Sequence, residues 1–410
     1  MKVMQKIIVL LLIIALGGLA FGCAPPPTLT TGPNEFADAL KSARGKTVTF
    51  YGWGGSTAVN NWFDNIVAPS LLAEYGITLR RVPMNIDEIL RKLSTEKQAG
   101  KVSGDIDVVW INGENFYAAK TQGLLYGPFN NRIDNFNRLI DPEAADTNFD
   151  FGVPIEGMSV PLGRAQLVFM ADNAKLPVFP ASAAQLLEAA RANPGRFTYP
   201  APPDFTGSAF VRNIIYEIVG FEAINNAPAD KAAIQAVIQP AMDFLNQLEP
   251  YLWEQGRTYP ADIAAMERMF AEGQLLWNMS YTPLKAAQLI AENRVPASVA
   301  SFVFDRGNIG NTHYIAIPFN SPNKDAAFVL IHHLISPAMQ ASKLDVNNWG
   351  DLPVVDLDRL TEPERALIEN ADIGRGVLSM EELLGKRVPE VHARKVALIE
   401  ELWREQVLQR

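Results

Sequence analysis

The sequence predicts an α/β protein of two lobes, each a mainly parallel sheet flanked by helices. Three observations carry that expectation. Short β-branched and aromatic runs alternate with helical stretches, an order that buries a parallel sheet on both faces. Glycine-rich turns separate predicted strands from the helices that follow. At 410 residues the chain is longer than one hydrophobic core usually serves, so it divides.

The N-terminus is read first. Lys2 and Lys6 give a short basic start, Ile7 to Leu19 is an unbroken apolar run, and Ala20-Phe21-Gly22 leads to Cys23. The run is shorter than a membrane-spanning helix needs and has the layout of a secretory signal, so residues 1–22 are read as a signal peptide. Cys23 is the only cysteine and has no disulfide partner within the chain. Its position resembles the lipidated cysteine of bacterial lipoproteins. An uncleaved anchor helix with an incidental cysteine is the alternative. Residues 23–37, with Pro25, Pro26, Pro27 and Thr28, read as a stiff tether with no means of burying a core.

From there the elements alternate. Lys46 to Trp53 is a strand by its Thr, Val, Phe and Tyr content. Gly54-Gly55-Ser56-Thr57 ends it and opens a helix carrying Trp62, Phe63, Ile66 and Val67, which Gly76 closes. Ile77 to Val82 is the next strand. Ile86, Ile89, Leu90 and Leu93 then mark a helix at 3.6-residue spacing. Ile106 to Ile111 is an apolar strand, followed by Asn112-Gly113-Glu114-Asn115 and another helix. In the second lobe, Ser182 with Gln185 forms a capping box, and Phe197 to Tyr199 reads as a strand. Thr206-Gly207-Ser208 opens a helix bearing Phe210, Ile214, Ile215 and Ile218. Gly273 stops the helix of Met266, Met269 and Phe270, Leu275 to Met279 is a strand, and Pro283 fits a first helical turn. Tyr314 to Pro318 returns to the first lobe, and the chain beyond Asp325 is mostly helical. The expected division is 38–160 plus 316–410 for the first lobe, the place of the last helices left open, and 161–315 for the second. Crossing strands near Ser159–Val168 and Asn311–Pro318 join them.

Charge and motif content exclude several classes. There are 45 acidic against 36 basic residues, and losing the leader with its two lysines makes the balance more acidic. Nucleic-acid binding needs a basic surface that displaces counterions, so no nucleic-acid partner is expected. His313, His332, His333 and His392 are the only histidines, and none has zinc-ligand spacing with another ligand; no metal or cofactor is expected. Gly54-Gly55-Ser56-Thr57-Ala58 only partly matches a nucleophile elbow, since Ala58 replaces its last glycine. A secreted hydrolase or transferase using Ser56 with His313 is the alternative function.

The order of these pieces resembles a known family. A lipidated leader, a strand into a Gly-rich turn, Asp105 to Trp110 before a polar turn, and Ala271-Glu272-Gly273 before a hydrophobic strand come in sequence. Ile315-Ala316-Ile317-Pro318 then precedes Ala326-Ala327-Phe328 and Ser336-Pro337. This is similar to the extracellular solute-binding proteins of bacterial ABC importers, with the two-lobed type II periplasmic-binding ("Venus flytrap") fold. Pro194 to Pro200 and Pro202 to Phe210 resemble its YnjB-type branch. The resemblance implies a non-enzymatic monomer, exported and lipid-anchored at the outer face of the cell membrane or in the periplasm. Such a receptor would capture a small polar solute, thiamine-like or another small cationic or anionic metabolite, for a permease and ATPase.

Candidate ligand contacts follow from the α/β architecture, in which solutes sit beyond the carboxyl ends of strands. Gly54, Gly55 and Ser56 leave backbone N–H groups at a helix N-terminus, where the dipole favours a carboxylate or phosphate. Thr206, Gly207 and Ser208 repeat that arrangement in the other lobe, with Ser56 and Ser208 as caps. Trp53 and Tyr281, at strand ends, offer aromatic faces that stack on rings and attract cations. Asn112 and Glu114 follow the third strand. Trp110 and Trp277, inside strands, read as core.

Overall fold

The computed structural model describes residues 35–409. The leader, Cys23 and the tether as far as residue 34 lie outside the described residues, whereas residues 35–37, expected as tether, open the helix Glu35–Ala43. Among the described residues no helix is long and apolar enough to cross a membrane.

The described residues form eleven strands: β1 (Thr47–Gly52), β2 (Thr78–Pro83), β3 (Val108–Ile111), β4 (Phe149–Asp150), β5 (Val153–Pro154), β6 (Ser159–Gln166), β7 (Val168–Asp172), β8 (Trp277–Ser280), β9 (Val299–Phe302), β10 (Asn308–Ala316) and β11 (Arg387–Val388). The first sheet runs β11-β10-β3-β1-β2, with β6 also paired to β10. Here β1 pairs parallel with β2 and β3, as the βαβ order requires. β10 enters antiparallel to both β3 and β6. The second sheet, β8-β7-β9, differs from the expectation of a parallel sheet: both of its pairings are antiparallel. The reason lies in the crossings. β6 passes straight into β7 through Leu167, and β9 returns into β10 through residues 303–307, so each crossing chain serves both sheets in turn. Leu167 N–H donates to the Ile309 carbonyl and ties the two crossings together.

Helices form where the sequence places caps and stripes. Ile86–Gln98 starts with a complete Asn85/Glu88 capping box and buries Ile89 and Leu93. Ser336 caps Pro337–Leu344, with proline at the first position. Gly76 ends Ala68–Tyr75 at φ 68°, the left-handed conformation glycine adopts without steric cost. The Trp62-to-Val67 stretch contains a π-turn over Phe63–Val67.

Three local expectations need correction. Phe197–Tyr199 is no strand: it makes one bridge, Phe197 to Leu252, before proline-rich chain. Ser182 does cap its helix, but Gln185 Oε1 accepts from Ala181 N–H rather than from Ser182, so the box is not closed. The helix after Pro283 begins two residues later, at Lys285.

Two apolar clusters form the core. Phe50 stacks on Phe63 at 4.5 Å and Trp62 meets Trp349 at 5.5 Å on one side of the first sheet. Phe169, Trp277 and Phe210 pack together around the second sheet, and the Trp277 indole donates to the Thr198 carbonyl. Trp277 is core, as its strand position indicated. Full burial of one such aromatic is worth roughly 1.5–3 kcal/mol. The final helix, Ala393–Trp403, packs on Lys231–Leu248 and Phe205–Val219 of the second lobe and also on Gly113–Thr121 of the first. Its place, open from sequence, is thus across both.

Candidate functional site

The turn after β1 stands at the carboxyl end of its strand. Ser56 Oγ accepts from Val59 N–H at 3.4 Å, so it caps its helix as expected. Asn60 Nδ2 donates to the Gly54 carbonyl at 2.8 Å, and Arg81, ion-paired to Asp64, donates to Asn60 Oδ1 at 3.0 Å. The turn is therefore held rigid. Trp53 projects from it with 52% of its surface exposed. A side chain on Gly55 would collide with the Trp53 ring, and one on Gly54 with Pro83, so both glycines are required by close approach.

The second turn is built differently from the sequence expectation. Ser208 is not the cap of Phe205–Val219. Asp204 is, with Oδ1 accepting from Thr206 N–H at 3.0 Å and Gly207 N–H at 2.9 Å. The aspartate comes two residues before Thr206 and outcompetes a serine already inside the first turn. Gly207 serves packing, because a β-carbon there would run into the Pro200 carbonyl.

Ser208 instead belongs to a buried ionic network. Its hydroxyl donates to Glu400 Oε1 at 2.5 Å and accepts from Arg212 Nη1 at 2.6 Å. Arg212 grips Glu390 with two parallel bonds, Nε at 2.9 Å and Nη2 at 2.8 Å, in the fork geometry that makes such pairs strong. Tyr281 Oη donates to Glu390 Oε1 at 3.0 Å, and its ring lies 5.1 Å from Phe205. Burial comes first among the influences on the Tyr281 hydroxyl and, with Glu390 alongside, pushes it well above its usual range.

The helix after β3 approaches the same network from the first lobe. Asn112 precedes it and makes no side-chain cap. Gly113 N–H is taken by Asp150 Oδ1 at 2.8 Å, while Asp150 Oδ2 is buried without a partner. Burial raises the Asp150 carboxyl well above the usual carboxylate range, and the nearby Glu114 and Glu390 raise it further. Glu114 keeps an open surface, yet the protein around it displaces enough water to raise its carboxyl too. Arg212 opposes that shift while Glu400 and Glu390 add to it. A first-lobe residue thus lies within the electrostatic field of the second-lobe network.

The structure therefore joins Ser208 and Tyr281 through Arg212 and Glu390, with Glu114 on a helix that packs against the one bearing Glu400. It leaves Trp53, Gly54, Gly55 and Ser56 as a separate exposed turn, and uses Thr206 and Gly207 as donors to Asp204. Sequence reading missed Arg212, Glu390, Glu400 and Asp150. Arg212 carried a signal: an arginine four residues after Ser208, amid Phe210, Ile214 and Ile215, is a charge on a buried face and demands a partner. The partner, Glu390, is far along the chain and carried none.

The hydrolase alternative finds no support in geometry. His313 lies between Trp110 and Trp349, with Nε2 3.4 Å from Asp351 Oδ2, and no hydrogen bond joins it to Ser56. Burial lowers its imidazole to about 3. Among the described residues no three His, Cys, Asp or Glu side chains converge to hold a metal ion. Two recesses lie elsewhere: an open one of about 290 Å³ beside Ser94, Lys97 and Gln122, and one of about 20 Å³ between Lys175, Phe270 and Val299, room for about one water.

Comparison with known proteins agrees with this geometry. Residues 67–356 match the model of the bacterial extracellular solute-binding protein family. Protein YnjB of Escherichia coli is 35% identical over 378 residues, which is 92% of this chain and 95% of the relative. An ABC transporter structure from Clostridium perfringens superposes with a TM-score of 0.61 at 16% identity, covering 88% of this chain and 98% of that one. A periplasmic thiamin binding protein does so with a TM-score of 0.58 at 18% identity, covering 88% and 94%. Those two likenesses establish the two-lobed periplasmic-binding fold. The chain belongs to the bacterial extracellular solute-binding proteins, a non-enzymatic family of solute binders.

Proposed function

We propose that this receptor is lipid-anchored through Cys23 and captures one small polar solute between its lobes for delivery to a permease and ATPase. The first lobe, 38–160 with the chain from 316, presents Trp53, Gly54, Gly55, Ser56, Asn112 and Glu114. The second, 161–315, presents Ser208 and Tyr281 at the Arg212 network, and the final helix spans the two. Thr206 and Gly207 act as scaffold. What supports the reading is that the final helix, which carries Glu400, packs on both Gly113–Thr121 of the first lobe and Phe205–Val219 of the second. The thiamin-binding neighbour supplies a fold at 18% identity and does not set the solute.

A solute touching both lobes binds the closed form better and shifts the population toward it. Small-angle scattering with saturating solute should show a smaller radius of gyration, and tryptophan emission should change as Trp53 loses solvent. Trp53→Ala should weaken binding and diminish the emission change. No compaction with a solute of proven affinity would refute closure between lobes.

A further inference from the structure

We infer that Gln288 and Asp351 are positioning residues for the turning of the lobes. Gln288 ties the second lobe to the loop that carries Asp351, and Asp351 with Lys343 sets which arrangement of the crossing strands is favoured. The inference rests on the two-lobed receptor reading above and concerns how its cleft opens and shuts, not what it binds.

The crossing strands are irregular at one point. His313 of β10 pairs with Gly163 of β6 but Tyr314 pairs with Pro161, so Leu162 is the extra residue of a β-bulge. Its carbonyl is taken from the side, by Lys343 Nζ at 2.8 Å and Gln340 Nε2 at 3.0 Å. Lys343 is fully buried and gives a second hydrogen to the Leu352 carbonyl at 3.0 Å. Asp351 is equally buried, and neither of its oxygens has a hydrogen-bond partner; His313 Nε2 stands 3.4 Å from Oδ2. A β-carbon on Gly163 would collide with both Asp351 Oδ2 and Lys343 Nζ, so carboxylate and ammonium face the same small gap without bonding across it. A buried carboxylate left unbonded is costly, and a neighbouring ammonium is its natural partner. This arrangement of the crossing leaves Asp351 unmet, and one that brings it onto Lys343 relieves it.

Gln288 decides how far the Asp351 loop follows the second lobe. It lies on the helix Lys285–Ala291, which packs on β9 of the second sheet. Its Nε2 donates to the carbonyls of Asn348 and Trp349, both at 3.0 Å. Trp349 is seated in the first core against Trp62, and Gly350 leaves the room for Gln288, whose Nε2 a β-carbon there would meet at 2.9 Å. One amide of the second lobe thus holds the backbone two and three residues before Asp351. When the second lobe turns, that hold is dragged or broken, and the Asp351 carboxylate moves with respect to Lys343. Among the described residues no hydrogen bond joins Gln288, Asp351 or Lys343 to the Arg212 network, so they act on the solute only through the geometry of the lobes.

The test measures the distance between lobes by pulsed spin-label spectroscopy, on the full chain without added solute and in a Cys23→Ser background. Labels go on Val102→Cys and Val178→Cys, 90% and 79% exposed and one in each lobe. Gln288→Met keeps the volume and removes both bonds; it should deplete the distance found in this structure about threefold or more relative to wild type. Adding Asp351→Asn, which removes the stranded charge, should restore that distance toward the wild-type population. Asp351→Asn alone keeps the side chain's shape and should leave the distance at least as populated as in wild type. Merely structural residues would lower the melting temperature of each variant, most in the double, with distances unchanged. An unchanged distribution in Gln288→Met, further depletion in the double variant, or depletion by Asp351→Asn alone would overturn the inference. Two distances whose ratio no variant alters would discard the latch and keep the moving lobes, whereas one distance common to all the proteins would discard both.

Discussion

Arg212→Met removes the centre of the ionic network while keeping most of its volume. Three bonds vanish: two to Glu390 at 2.8 and 2.9 Å and one to Ser208 at 2.6 Å. Glu390, 7% exposed, keeps only the Tyr281 hydroxyl as a donor. Stranding one member of a buried pair costs about 3–5 kcal/mol, mostly the desolvation of the charge left behind. With an unfolding entropy of roughly 2.1 cal/mol/K per residue, that lowers the melting temperature by roughly 4–6 °C for a chain of this length. Differential scanning calorimetry and urea unfolding followed by circular dichroism measure it. The double variant Arg212→Met, Glu390→Met should regain most of the loss, since an apolar pair of similar size avoids the stranded charge. A single-variant loss below about 1 kcal/mol, or a double variant worse than the single, would refute the reasoning.

Other outcomes follow from particular contacts. Gly207→Ala should destabilise by at least the ~1–3 kcal/mol typical of overpacking, because its β-carbon meets the Pro200 carbonyl; urea midpoints report it. Burial lowers the His332 imidazole to about 4, and its Nδ1 accepts from Asn135 N–H, so the native state holds it neutral. The unfolded chain takes up that proton near pH 6.5, so stability falls as pH drops from about 6.5 toward 4. His332→Phe should flatten that part of the melting-temperature profile, and an unchanged slope would remove the residue from the account. Cys23→Ser should release the receptor from membranes in fractionation, whereas retention after high-salt washing would show the leader itself to be the anchor.

Much of the fold was legible because local chemistry and global position agree. Gly76 fits a left-handed helix end, Asn85 with Glu88 closes a capping box, and Val108 to Ile111 is apolar enough for a central strand. The pairing direction of the second sheet was not legible. It depends on where β6 and β9 cross between sheets, and no residue pattern encodes that. The rule that solutes bind beyond strand ends pointed to the turn of Trp53 to Ser56, to Glu114 and to Tyr281, and the structure joins only Tyr281 by hydrogen bonds to the Arg212 network. Caps were harder: Asp204 and Asp150 are ordinary acidic residues in the sequence, and only folding brings Asp150 to Gly113. Glu400 arrives from the final helix and Glu390 from the coil just before it, and neither position had a signature.

The central claim is that one small solute occupies the space between Glu114 and the Arg212 network. Native mass spectrometry of the protein as purified, beside Glu114→Gln and Tyr281→Phe, tests it most directly. The account predicts one low-mass species bound per wild-type chain, displaced on mild unfolding and depleted in both variants. An adduct equally abundant in all three proteins would place the solute elsewhere and contradict the account.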